Sequence, residues 1–180
     1  MALSATVHVF NVRLADADRN VYETLELRMA RHPSETPEFL LTRLLAYCLE
    51  YTEGIAFSKG LSETDEPALS VRDLTGVLLT WIDIGAPEAA RLHKASKAAR
   101  RVVVYAHCGV QPWLDRLAGE RIHRAADIVV NLVDQELLDA LVQRLDRRMA
   151  FDLSVAERTL YVSIGEETFT GTIRSHSLVS

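Results

Sequence analysis

Hydrophobic and polar positions alternate at both ends of the chain and run together in its middle. Residues 5–14 (ATVHVFNVRL) and 21–29 (VYETLELRM) alternate with a period of two, the pattern of strands with one face covered. The turn-forming stretch 16–20 (DADRN) joins them into a predicted hairpin. Near the other end, 150–155, 159–164 and 168–174 alternate again, separated by 156–158 (AER) and 165–167 (GEE). These terminal strands are expected to share one mixed or antiparallel lobe.

The middle reads differently. Residues 77–82 (VLLTWI), 101–106 (RVVVYA) and 127–133 (DIVVNLV) are nearly continuous apolar runs, which fits adjacent strands covered on both faces. Helical patterns lie around them. Thr36 suits an N-cap, Pro37 the first helical position and Glu38 the first turn; Leu40, Leu41, Leu44, Leu45 and Cys48 then form an apolar stripe up to about Tyr51. Alone, Glu38 reads as complementing the helix dipole. A short strand is expected over 55–58, and helices over 87–100, 112–118 (with Trp113 as a core anchor) and 134–145, capped by Asp134. The fold class is therefore α/β: a mixed sheet flanked by helices, about 34–145, and a smaller antiparallel β lobe from about 1–31 and 147–176. All of it belongs to one domain over 1–180.

Residues 73–76 (DLTG) read as a turn that folds 68–72 back on 77–81. That pairing predicts Asp83 opposite Glu66 and Pro67, so that Asp65, Glu66 and Asp83 converge on one end of the hairpin. Like charges gathered in this way raise one another's pKa unless a cation neutralises them. Oxygen-only ligands favour Mg²⁺, Mn²⁺ or Ca²⁺ over zinc. On the helix that follows, Leu92, Ala95 and Ala99 fall on one side and Lys94, Lys97 and Arg101 on another, with Arg91 between. Plainer readings stand beside these: a solvated or capping Asp83, and a basic stripe that faces only water.

Composition narrows the field. With 180 residues, 48% hydrophobic and 25% charged, the chain can bury a core of its own. Its 25 acidic against 20 basic residues exclude a wholly basic nucleic-acid coat but leave room for a local basic patch. Cys48 and Cys108 are far apart in sequence and lack metal-ligand spacing, which suggests reduced thiols in a cytoplasmic protein. No apolar run approaches a membrane span, and the alternating N-terminus is not that of a signal peptide. Phosphate-binding loops, the G-x-G-x-x-G pattern and the G-x-S-x-G elbow are missing, so no nucleotide or dinucleotide cofactor is expected. The six histidines are scattered.

Five stretches together carry a resemblance: MALSAT at the start, ARHPSET at 30–36, DEP at 65–67, WIDIG at 81–85, and Arg91 with Lys94-Ala95. They resemble the YaeQ family over essentially the whole chain. The resemblance implies a variant of the PD-(D/E)XK nuclease fold, found in cytoplasmic bacterial proteins. It also implies a Mg²⁺- or Mn²⁺-dependent nuclease, with Glu38, Asp65, Glu66 and Asp83 holding the metal and Asp83, Glu66 and Lys94 acting in catalysis. Arg91, Lys97 and Arg101 would meet nucleic acid. Gly85 stands where the motif's lysine belongs, so Lys94 is read as a migrated lysine. Asp73 is a substitute acid, but the hairpin puts it at the far end. The alternative is an inactive nuclease-fold module that binds nucleic acid or a protein partner.

Overall fold

Long strands form at the alternating ends of the chain, and short buried ones in its apolar middle. The computed structural model describes residues 4–58 and 65–179; Met1–Leu3 of the opening motif lie outside the described residues. In chain order the elements begin with β1 (Thr6–Asp16), β2 (Val21–Arg31), α1 (Pro37–Leu49), β3 (Ile55–Phe57), β4 (Leu69–Arg72), β5 (Leu78–Ile84) and α2 (Ala89–Ala98). They continue with β6 (Arg101–Ala106), α3 (Gln111–Leu117), β7 (Val129–Val133), α4 (Gln135–Val142), β8 (Arg148–Ala156), β9 (Thr159–Ile164) and β10 (Glu167–Ser177). No described helix is long and apolar enough to cross a membrane. Both cysteines are free thiols, Cys48 buried and Cys108 exposed.

The elements fall into two compact units: Met1–Leu41 with Val133–Ile173, and Thr42–Leu132 with Arg174–Ser180. In the first unit β1 pairs antiparallel with β2 and parallel with β8, and β8, β9 and β10 follow as an antiparallel meander. The period of two becomes burial: Phe10, Val12, Leu25, Leu27, Met149, Phe151, Leu153, Leu160 and Val162 face the core. Asp134 caps α4 as expected, its side chain accepting from the Glu136 N–H at 2.9 Å. At Gly171 an added Cβ would lie 2.7 Å from the Leu137 Cβ, so glycine lets α4 sit close on β10.

In the second unit β3, β4 and β5 are antiparallel, and β5, β6 and β7 run parallel. Alternation along β5 and β6 sorts the side chains to two faces. Trp81, Val102, Val104 and Val130 pack with Leu92, Ala95 and Ala99 of α2 and Trp113 and Leu117 of α3. The opposite face meets the end of α1, where Tyr105 donates to Glu50 at 2.7 Å, and the Tyr47 ring stacks on Phe57 of β3 at 4.6 Å.

Two expectations shift. The β4–β5 hairpin carries a bulge between Val71 and Arg72, and Leu69 pairs with Ile82, not with a residue two places earlier. The turn supplies one step of this shift, the Asp73 carboxylate accepting from the N–H groups of both Thr75 and Val77 at 2.9 Å, and the bulge supplies the other. Asp83 therefore comes beside Ala68, whose N–H lies 3.4 Å from its Oδ1, instead of opposite Glu66 and Pro67. The second helix starts at Ala89, not Pro87; the Pro87 carbonyl instead accepts the Trp113 indole N–H at 2.8 Å.

Candidate nucleic-acid interface

The site is built on the end of β5 and the first turns of α2. Trp81 and Asp83 are two apart on a buried strand and so point to one side, the side covered by α2. The alanines at 95 and 99 keep that helix close to the sheet. Asp83 is 1% exposed. A carboxylate this deep must be paired or neutral.

Arg91, on the first turn of α2, supplies the pairing. Its Nε donates to Asp83 Oδ2 at 2.7 Å and its Nη2 to Oδ1 at 2.9 Å, a fork-on-fork arrangement. Nη2 also donates to the main-chain carbonyl of Glu66 at 2.7 Å. The guanidinium lies 5.4 Å from the centre of the Trp81 ring, within cation–π range. Three residues on, Lys94 binds the Asp65 carboxylate. That hydrogen bond and the Lys94 charge, with Arg91 adding to them, hold the Asp65 carboxyl below the ordinary range. Spacing of i and i+3 thus brings two cations of one helix face to two acids.

The expected residues separate accordingly. Asp65, Asp83, Arg91 and Lys94 gather, while Glu66 joins through its carbonyl. Glu38 belongs to the first unit, half-buried in the first turn of α1 after Thr36, whose hydroxyl accepts from the Phe39 N–H at 3.1 Å. Lys97 is exposed on α2 and makes no ion pair among the described residues. Arg101 leaves the stripe. It opens β6 on the face opposite α2 and clasps Glu50 at 2.6 and 3.2 Å. Beside it, burial first and then Glu50 push the Tyr105 phenol well above its usual value.

A divalent cation needs several free oxygens, and both oxygens of Asp83 and one of Asp65 are already committed. Arg91 takes both Asp83 oxygens and Lys94 takes Asp65. Among the described residues no group of three or more His, Cys, Asp or Glu side chains is placed to hold an ion. As arranged, the residues do not fit the metal.

Three basic residues escaped the reading of single motifs. Arg124, in the left-handed region at φ 48°, donates to the carbonyls of Ser96 at 2.5 Å and Ala99 at 2.8 Å, closing the C-terminal end of α2. Arg116 and Arg121 are exposed and make no ion pair among the described residues. A charge count would have found them: residues 87–128 hold eight basic and four acidic side chains in a chain of net charge −5. The same loop is tied to α2 a second time, where the His123 N–H donates to His93 Nδ1 at 3.1 Å.

The model of one protein family, described as YaeQ protein, matches residues 1–173. "Uncharacterized protein YaeQ" of Escherichia coli K12 is 33% identical over 166 residues, 91% of each chain. The Salmonella typhi protein of that description is 34% identical over the same share. The crystal structure of YaeQ from Xanthomonas axonopodis pv. citri is 33% identical and superposes with a TM-score of 0.88 over 97% of this chain and 99% of that one. The Pseudomonas syringae YaeQ structure gives 0.86 over 95% of both, again at 33% identity. Sequence and fold agree along nearly the whole length, and the chain belongs to the YaeQ family.

Proposed function

We propose that this chain is a module of the PD-(D/E)XK-like type that binds the phosphate backbone of nucleic acid without hydrolysing it. The binding surface is the outer side of α2 and α3 with the loop at 119–124. The observation that carries this is the division of the cations. Arg91 is spent on Asp83, whereas Lys97, Arg116 and Arg121 stay exposed and unpaired among the described residues. Unpaired surface cations gain by releasing counterions from a polyanion, and an internal pair does not. The mixed sheet with a helix layer on each face agrees with the nuclease-like core that the resemblance implies. A buried bidentate pair is costly to open, since either partner left alone is an uncompensated charge. Asp83 therefore acts as the anchor that fixes α2, and through α2 the basic face.

Metal-dependent phosphodiester hydrolysis is the second reading, favoured by the grouping of Asp65, Asp83 and Lys94 about Arg91. One experiment separates the two: a short labelled duplex is titrated in EDTA and then incubated with Mn²⁺. Binding that persists in EDTA, with no cleavage in Mn²⁺, is expected. Mn²⁺-dependent cleavage that is lost in both Asp83→Asn and Lys94→Ala would replace binding by hydrolysis.

A further inference from the structure

In the first unit one face of the sheet β2-β1-β8-β9-β10 is buried, and the other bears small and polar side chains. Across one register row Tyr22 pairs with Ala15, Ala15 with Ser154, and Ser154 with Tyr161. The next row reads Thr24, Arg13, Asp152, Ser163 and Thr168. Tyr22 is 61% and Tyr161 41% exposed. Three strand spacings separate the two tyrosines by roughly 14 Å. Ala15 and Ser154 between them are too small to fill that width. Beside that row, over the next two, lies a depression of about 390 Å³ lined by Asn11, Arg13, Thr24, Ala150, Asp152 and Ser163.

Its chemistry is specific. Arg13 and Asp152 face each other across two strands at 2.7 and 2.8 Å, so the two formal charges on its floor cancel. Around that pair stand an amide and the hydroxyls of Thr24 and Ser163, the latter bonded to the Thr168 hydroxyl at 2.9 Å. Such groups donate and accept at once, which suits a ligand dense in hydroxyls. The tyrosines, one row away, offer apolar ring faces with a polar tip. Charge decides between the two ligands that would use hydroxyls and rings together. Residues 1–41 and 133–173 carry 14 acidic against 8 basic side chains, a balance that repels a nucleic-acid strand and leaves a neutral ligand unopposed.

We infer that this depression is a binding site for a neutral saccharide, whose hydroxyls meet Asn11, Thr24, Ser163 and the Arg13–Asp152 pair and whose C–H faces lie against Tyr22 and Tyr161. The site is independent of the α2 surface. The full chain, labelled with ¹⁵N, is titrated with maltotriose, cellotriose, N-acetylchitotriose and, separately, poly(U). At least one trisaccharide is expected to shift the amides of Asn11, Thr24 and Ser163 at millimolar concentration. Tyr22→Ala, a change at an exposed side chain, should weaken that binding about tenfold, and Arg13→Ala should weaken it as well. The inference is overturned if no trisaccharide moves these amides, if the shifts survive both substitutions, or if poly(U) alone occupies the face.

Discussion

Arg91 clasps both oxygens of the buried Asp83 carboxylate, at 2.7 and 2.9 Å, and with its Nη2 also holds the carbonyl of Glu66. One side chain thereby ties α2 to the end of β5 and to the segment before β4. Removing either partner strands the other. Arg91→Ala is expected to lower stability by about 3 kcal/mol, somewhat under the full buried-pair value because the Arg91 side chain is 27% exposed. Replacing both residues together with apolar ones of similar volume should lose much less. Urea unfolding of the two single variants and the double variant measures the coupling; equal and additive losses would show that the pair does not act as a unit.

Lys94 and Asp65 form a pair of a different kind, since their side chains are 50% and 82% exposed. Lys94→Ala should leave stability within about 1 kcal/mol of the parent. It should also let the Asp65 carboxyl rise toward its ordinary value, because Lys94 is the main cause of the depression. Carboxyl-carbon NMR during a pH titration reads this directly, and an unmoved Asp65 would mean that another group holds it down.

Glycine is required at one turn and merely preferred at another. Gly54 and Gly76 sit at φ 91° and 88°, but a Cβ at Gly54 would lie 2.0 Å from the Arg72 carbonyl oxygen, whereas at Gly76 it would meet nothing within 4 Å. Gly76→Ala should cost about 1 kcal/mol, the price of the left-handed backbone alone. Gly54→Ala should cost at least twice that, because β4 must also move. Thermal melts of the two variants compare them, and equal losses would contradict the close approach.

Asp18 links two turns by accepting from the N–H groups of Glu157 and Arg158, both in the left-handed region, at 2.7 and 2.9 Å. The Arg158 bond, then the Glu157 bond, lower its pKa. A carboxyl depressed in the folded state contributes stability that is present above its unfolded pKa, about 4. That contribution is lost as pH falls through the folded value. Asp18→Asn should therefore flatten the fall in urea midpoint below about pH 4 and leave the slope above pH 5 unchanged. An unchanged acid limb would contradict the role given to these two bonds.

The strands and helices were legible in the sequence because period and apolar runs report burial directly. Val102–Ala106 are buried throughout, and Leu160 and Val162 are buried with Tyr161 exposed between them, as their patterns predict. The end of the hairpin that holds Asp83 was legible too, from the turn at 73–76. Its partners were not. A bulge at Val71 and Arg72 moves the register of the hairpin, and no residue type announces it. Counting helical turns placed Arg101 on the α2 stripe, whereas the helix stops at Ala98 and Arg101 turns to Glu50 on the far face. That Arg91 satisfies Asp83 depends on a helix lying close enough for a guanidinium to reach inward, a distance set by packing alone.

The most direct measurement of the central claim is the salt dependence of duplex binding, taken in EDTA for the wild type, Lys97→Ala, Arg121→Ala and Asp83→Asn. Each exposed cation that contacts a phosphate should contribute about 0.9 to the slope of log K against log salt. Lys97→Ala and Arg121→Ala are then expected to reduce the slope by about one each while the fold is kept. Asp83→Asn should reduce affinity only as far as it loosens α2. A duplex that does not bind in EDTA, or a slope that neither cation changes, would contradict the account.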